Sequence, residues 1–143
     1  MNVDHERFDD ALVRVERAVC DVYLGSSGLF ADLWSQAEDR SLFGAFGPAK
    51  RGWEQLEPVF PWVARRYRDG QVSVEYVTIA EGDDTAYTVG YERAVVSIDG
   101  GDRAPSTIRV THVFRRENGR WMLVHRHGDF AVTDSTEPQC PPS

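Results

Sequence analysis

The hydrophobic period of this chain changes once, at Gly70, and that change limits what it can fold into. Before Gly70 the apolar residues recur in steps of three and four. They run Phe8, Leu12, Val15, Val19, Val22, and then Trp53, Leu56, Phe60, Val63, Tyr67. Such spacing places each set on one face of a helix. After Gly70 the step shortens to two, as in Val72, Val74 and Tyr76, the alternation of a half-buried strand. Helices first and strands afterwards predict an α+β fold, with the helices on one face of an antiparallel sheet.

Turn chemistry supplies the boundaries. The first helix is predicted from Phe8 to Leu24, with Asp4 as its N-cap and Gly25-Ser26-Ser27-Gly28 as its stop. Leu29 to Trp34 adds a further turn or two, and Ser41 to Pro48 reads as a brief strand or irregular extended piece. Pro58 and Pro61 cannot both lie inside one regular helix, so the second stripe divides near Glu57–Phe60 and resumes at Pro61. Four strands follow, from Val72 to Ile79, Thr85 to Ile98, Thr107 to Arg116 and Arg120 to Val132. The last two are joined by Asn118-Gly119, the strongest short hairpin signal. A single domain is expected over 1–134, with 135–143 a disordered Pro-rich tail.

With 41% hydrophobic residues in 143, the chain can bury a core of its own. A formal charge of −7 argues against nucleic-acid or membrane-surface partners, which call for a positive field. Cys20 and Cys140 have no neighbours at metal-ligand spacing and suggest no disulfide framework. The polar, acidic start does not resemble a signal peptide, and no apolar run approaches the ~20 residues of a membrane span. A cytoplasmic location is expected. Nucleophile elbow, phosphate loop, dinucleotide fingerprint and zinc-protease helix are all missing from the sequence.

If Asn118-Gly119 is a two-residue turn, Phe114 pairs with Leu123, His112 with His125, and Val110 with His127. Alternation then gathers His112, Phe114, His125, His127 and Asp129 on one face, and Thr111, Val113, Arg115, Met122, Val124 and Arg126 on the other. Imidazoles beside a carboxylate are the parts of a general acid–base, with Asp129 orienting His127. The same set could hold a divalent ion, or the rings could simply line a cavity. On the long strand, Tyr87, Val89, Tyr91 and Arg93 alternate on one side, suited either to a polar ligand or to ordinary cross-strand packing. Trp53, after Gly52, stands where an aromatic could roof a pocket.

The helices, the aromatic–glycine segment, Gly52-Trp53-Glu54-Gln55-Leu56 and the closing hairpin from Arg109 to His127 resemble SnoaL-like proteins of the NTF2-like superfamily, over about residues 5–132. The resemblance implies a curved sheet wrapped around a cone-shaped cavity roofed by helices, and a homodimer through the outer sheet face, where Val96, Val113, Met122 and Val124 are expected. Departures from ketosteroid isomerases are plain. Their catalytic base falls near Phe43 or Gly44, their oxyanion carboxyl near Thr111 or His112, and their first-helix tyrosine near Ala18, so steroid isomerisation is not expected. The related kinase association domain carries a cavity arginine where His112 stands, which favours an inward His112.

The resulting expectation is a small-molecule-binding protein acting without metal or organic cofactor, as an isomerase, cyclase or dehydratase. Its catalytic groups would be His112, His125, His127 and Asp129. Trp53, Tyr87, Tyr91, Arg93 and Phe114 would bind a small apolar or carbonyl-containing ligand, with Tyr87 and Tyr91 donating to a developing oxyanion. The alternative is a non-catalytic dimeric module for ligand binding or protein association.

Overall fold

The computed structural model describes residues 5–131. Asp4, Cys140, the end of the last strand at Val132 and the 135–143 tail therefore lie outside the described residues. Helix α1 (Phe8–Tyr23) buries Phe8, Leu12, Val15, Val19 and, one turn further, Tyr23. Leu24 and Gly25 end it by donating back to Asp21 and Val22, with Gly25 at φ +99°. A short α2 (Gly28–Ala31) follows, then β1 (Ser41–Phe43) and β2 (Ala49–Arg51), paired as a hairpin.

The prolines divide the second stripe, as expected. Helix α3 (Trp53–Leu56) stops before Pro58, which caps α4 (Val59–Ala64). The second piece starts two residues earlier than Pro61, because Pro61 still lies in the first turn, where a backbone N–H has no intrahelical partner. Strands β3 (Tyr67–Glu81), β4 (Thr85–Ile98), β5 (Ala104–Glu117) and β6 (Arg120–Phe130) form the expected antiparallel meander. The sheet is larger than that meander, with six strands in the order β2-β1-β6-β5-β4-β3 and β1 running parallel to β6. Three-residue strands are too short to display a period of two.

Asn118 (φ +50°) and Gly119 (φ +78°) make the tight turn that the pair predicts. From it the ladder runs in the expected register only as far as Phe114↔Leu123. The next pair is Val113↔His125, so Val124 is an extra residue, a β-bulge. Beyond it His112 faces Arg126 rather than His125, and Val110 faces Gly128 rather than His127. One inserted residue exchanges the two faces of everything that follows.

The concave face of the sheet closes on the helices. Phe8 meets Phe114 and Trp121 edge-on, with ring centroids 5.1 and 5.2 Å apart. Glu6 clips the start of α1 to β6, accepting from the Trp121 N–H at 3.0 Å and from Arg14 at 2.6 and 2.7 Å. Val96, expected outside, belongs to this core. No helix among the described residues is long and apolar enough to cross a membrane.

Candidate functional site

Four polar side chains converge inside an otherwise apolar concavity. Tyr23 is the last residue of α1, and the close approach of that helix end to the sheet depends on Gly70. A β-carbon there would lie 2.6 Å from the Tyr23 carbonyl oxygen. Glu92 belongs to the inward row Ala86, Thr88, Gly90, Glu92, Ala94, Val96 of β4, buried throughout. Gly90 in that row is required by the neighbouring strand, since a β-carbon there would lie 2.1 Å from the Glu75 carbonyl oxygen. Arg126 is turned inward by the bulge, opposite His112. It must cross the row of Gly128 to reach Glu92; a β-carbon on Gly128 would sit 3.5 Å from Arg126 Nη2 and 3.3 Å from Ile108.

The resulting contacts are specific. Arg126 Nη1 donates to Glu92 Oε2 at 2.7 Å, and Nη2 to Oε1 at 3.2 Å. Tyr23 donates to the same Oε1 at 3.0 Å. Nη1 also lies 3.0 Å from His112 Nε2, and the guanidinium sits 5.5 Å from the centre of the Phe30 ring. The Glu92 side chain is 3% exposed and that of Arg126 12%, so this is a buried, forked ion pair. Tyr67, the first residue of β3, stacks on Tyr23 with centroids 4.5 Å apart.

Burial and proximity set the protonation states. Burial, and then the Glu92 charge, push the Tyr23 phenol far above its ordinary value. The same two causes push Tyr67 up to about 12. Both therefore carry their protons at neutral pH. Burial, then the Arg126 charge, hold His112 well below its usual value, so its ring is neutral. Burial opposes the Arg126 charge, but Glu92 outweighs it and raises the guanidinium pKa.

Beside this network lies a cavity of about 60 Å³, measured as the volume open to the centre of a water-sized sphere. One water requires ~10–15 Å³ on that measure, so several heavy atoms fit. Val19, Val22, Phe30, Leu42, Val59, Phe60 and Val63 give it apolar walls, and Tyr23, Tyr67, Glu92 and Arg126 its polar end. Phe46, on the turn between β1 and β2, also lines it. Its ring lies 5.5 Å from Tyr67 and 5.1 Å from Phe130, with the Arg66 guanidinium 3.9 Å away.

Of the residues expected to act together, only His112 and Phe114 face inward. Phe114 is fully buried against Phe8 and His112, in the core rather than among the cavity walls. The bulge carries His125, His127 and Asp129 to the outer face. There His125 meets Ser41 Oγ at 2.7 Å, Phe43 packs edge-on against both imidazoles, and Asp129 is forked to Arg109 at 2.8 and 2.6 Å. The expected His127–Asp129 dyad inside the cavity is thus corrected. Among the described residues no group of three His, Cys, Asp or Glu could hold a metal ion.

Tyr87, Tyr91 and Arg93 also point outward, because the opposite parity of β4 is the buried one. Arg93 pairs with Glu75 at 2.8 Å and stacks on Tyr91. Trp53 is half-buried against Phe60, with centroids 6.1 Å apart, and roofs no part of the cavity.

Sequence reasoning does not single out Tyr23, Tyr67, Glu92 or Arg126. A signal exists for two of them. Tyr23 stands four residues after Val19 on the apolar stripe, and Tyr67 closes the second stripe. Either is a hydroxyl on a core face. Glu92 and Arg126 depend on strand parity, and Arg126 on a bulge that no local residue announces.

Residues 27–133 match a family model described as SnoaL-like domain. No curated protein matches the chain significantly. Solved structures share the fold at low identity. A candidate dehydratase of the NTF2-like family from Streptomyces avermitilis is 19% identical with a TM-score of 0.73, over 90% of this chain and 96% of that one. An NTF2-like superfamily protein from Salmonella enterica serovar Typhimurium is 18% identical with a TM-score of 0.69, over 90% and 91%. A ketosteroid isomerase-like protein from Erwinia carotovora is 17% identical with a TM-score of 0.67, over 86% and 89%.

Proposed function

The chain belongs to the SnoaL-like family, and from that premise we propose that it binds a small, uncharged, largely apolar carbonyl compound in the cavity beside Tyr67 and Arg126. The supporting observation is the balance of donors and acceptors at the polar end. Glu92 is already engaged by Arg126 and Tyr23, whereas the Tyr67 phenol and the Arg126 Nε–H are donors on residues that line the cavity. A ligand oxygen that accepts is matched there, and a ligand amine is not. The Glu92–Arg126 pair is neutral overall, so an added carboxylate would find no uncompensated cation.

Turnover is the second reading, and the pairing of a protonated phenol with a buried carboxylate in one cavity favours it. Tyr67 would donate to the carbonyl oxygen while Glu92, on releasing its bond from Tyr23 or Arg126, took a proton from the adjacent carbon, the elementary step of isomerisation or dehydration. The histidine–aspartate version of that chemistry has no support, since His125, His127 and Asp129 lie across the sheet.

The test is titration of the protein with cyclohexanone, cyclohexylamine and methylcyclohexane, followed by nitrogen-15 chemical shifts. Cyclohexanone is expected to move the signals of Phe46, Val63 and Tyr67, and Tyr67→Phe to weaken it about tenfold, one hydrogen bond's worth. Equal binding of the amine or the alkane would remove the basis of the proposal.

We further propose a homodimer through the convex face, where Phe43, Val77, Tyr87 and Val95 are exposed. Sedimentation should show Val77→Lys shifting the protein toward monomer; a monomeric parent protein would refute this.

A further inference from the structure

A second and smaller compartment lies between α1 and the concave side of β3–β5, with Val15, Val19, Val74, Tyr76, Thr88 and His112 among its walls. Its volume is about 10 Å³ on the same measure as the ligand cavity, the size that one water molecule occupies. Two polar groups at it lack partners. The Tyr76 hydroxyl is buried and makes no hydrogen bond among the described residues. His112 touches Arg126 only through Nε2. A guanidinium has donors and no acceptor, so Nε2 must accept, and the hydrogen of the neutral ring then sits on Nδ1. No group among the described residues bonds to Nδ1.

We propose that this compartment binds a single water molecule, which accepts the Nδ1–H of His112 and bridges it to the Tyr76 hydroxyl. A buried water needs two to four polar partners. His112 and Tyr76 supply two, and Thr88 and Glu92 are among the residues that line the same space. The water holds His112 in the tautomer whose Nε2 faces Arg126, and so completes the surroundings of the guanidinium from behind. Burial, and then the nearby Glu16 and Glu92 charges, push the Tyr76 phenol upward, which keeps its proton available to the bridge.

The site is tested on the ligand-free protein, so its failure is separate from any failure to bind a carbonyl compound. A high-resolution crystal structure should show one density peak within about 2.7–3.2 Å of both Tyr76 Oη and His112 Nδ1. A long-range nitrogen–proton spectrum should show His112 protonated on Nδ1 alone, with a water cross-relaxation peak at that proton. Tyr76→Phe should keep the tautomer and shorten the water residence about tenfold, the effect of one lost hydrogen bond. A compartment without density, a water bonded to only one of the two groups, or an Nε2-protonated ring in the unaltered protein would each overturn the proposal.

Discussion

Removing the charges of Glu92 and Arg126 singly and together tests whether the forked pair organises the interior. Glu92→Gln keeps an oxygen for the Tyr23 hydroxyl but strands a guanidinium whose side chain is 12% exposed. Arg126→Met strands a carboxylate that is 3% exposed and retains only its bond from Tyr23. Breaking a buried pair from one side costs about 3–5 kcal/mol, because the remaining charge has neither water nor partner. That is a large part of the ~5–15 kcal/mol that holds a domain of this kind together. In the double variant no charge is left. The glutamine amide still accepts from Tyr23, and the methionine side chain fills the space of the arginine stem. The cost of the double change should be no more than about 2 kcal/mol, since apolar replacement of a buried pair is often neutral. Urea denaturation at pH 7, followed by tryptophan fluorescence, supplies the four free energies. A coupling of several kcal/mol is expected. Additive costs, with the double variant as unstable as the two single costs summed, would show that the two groups do not sense one another and would refute the reasoning.

The depressed pKa of His112 makes stability depend on pH with a definite sign. The unfolded ring takes up a proton near pH 6.5 and the folded one does not, so stability is complete above that value and falls as the pH drops toward the folded pKa, by up to about 1.4 kcal/mol per pH unit. Denaturation midpoints between pH 7.5 and 5 should show this slope reduced in His112→Gln; His125, lowered by burial, keeps a share of it. Gly128→Val should crowd the Arg126 guanidinium with its added methyl groups, and a crystal structure of that variant should show the 2.7 Å ion pair opened. Glu6→Ala removes three hydrogen bonds that join α1 to β6 and should cost about 1.5–3 kcal/mol in thermal or urea unfolding, with faster amide exchange at Trp121.

The architecture is legible in the sequence because it rests on periods and turns. The stripe from Phe8 to Val22, the double-positive φ of Asn118-Gly119 and the bounds of β4 at Thr85 and Ile98 all follow from local chemistry. The site is less legible, for two reasons. Alternation along β4 defines two faces but not which is buried. Tyr87, Val89 and Tyr91 look like the richer core row, yet the buried one is Ala86, Thr88, Gly90, Glu92, Ala94 and Val96, with Glu92 paired. On β6, extrapolation from the turn is sound for Phe114↔Leu123 and fails one residue later. Alternation does not announce a bulge there, next to the core in which Phe8, Phe114 and Trp121 are brought together from three separate elements.

Counting residues along β6 gives a parity rule for the interior. Up to Leu123 the odd-numbered positions serve it, and from Arg126 onward the even ones do. The stretch His125-Arg126-His127 thus encodes two alternative chemistries, a guanidinium or a pair of imidazoles, and whether Val124 is bulged or paired selects between them. Deleting Val124 would leave the Val113↔His125 pair and the inward Arg126 in place, because the bulge already takes the extra residue out of the ladder. The strand can therefore lose or regain that residue without changing what faces the cavity, and both imidazoles would turn inward only if Val124 were taken into the ladder and paired.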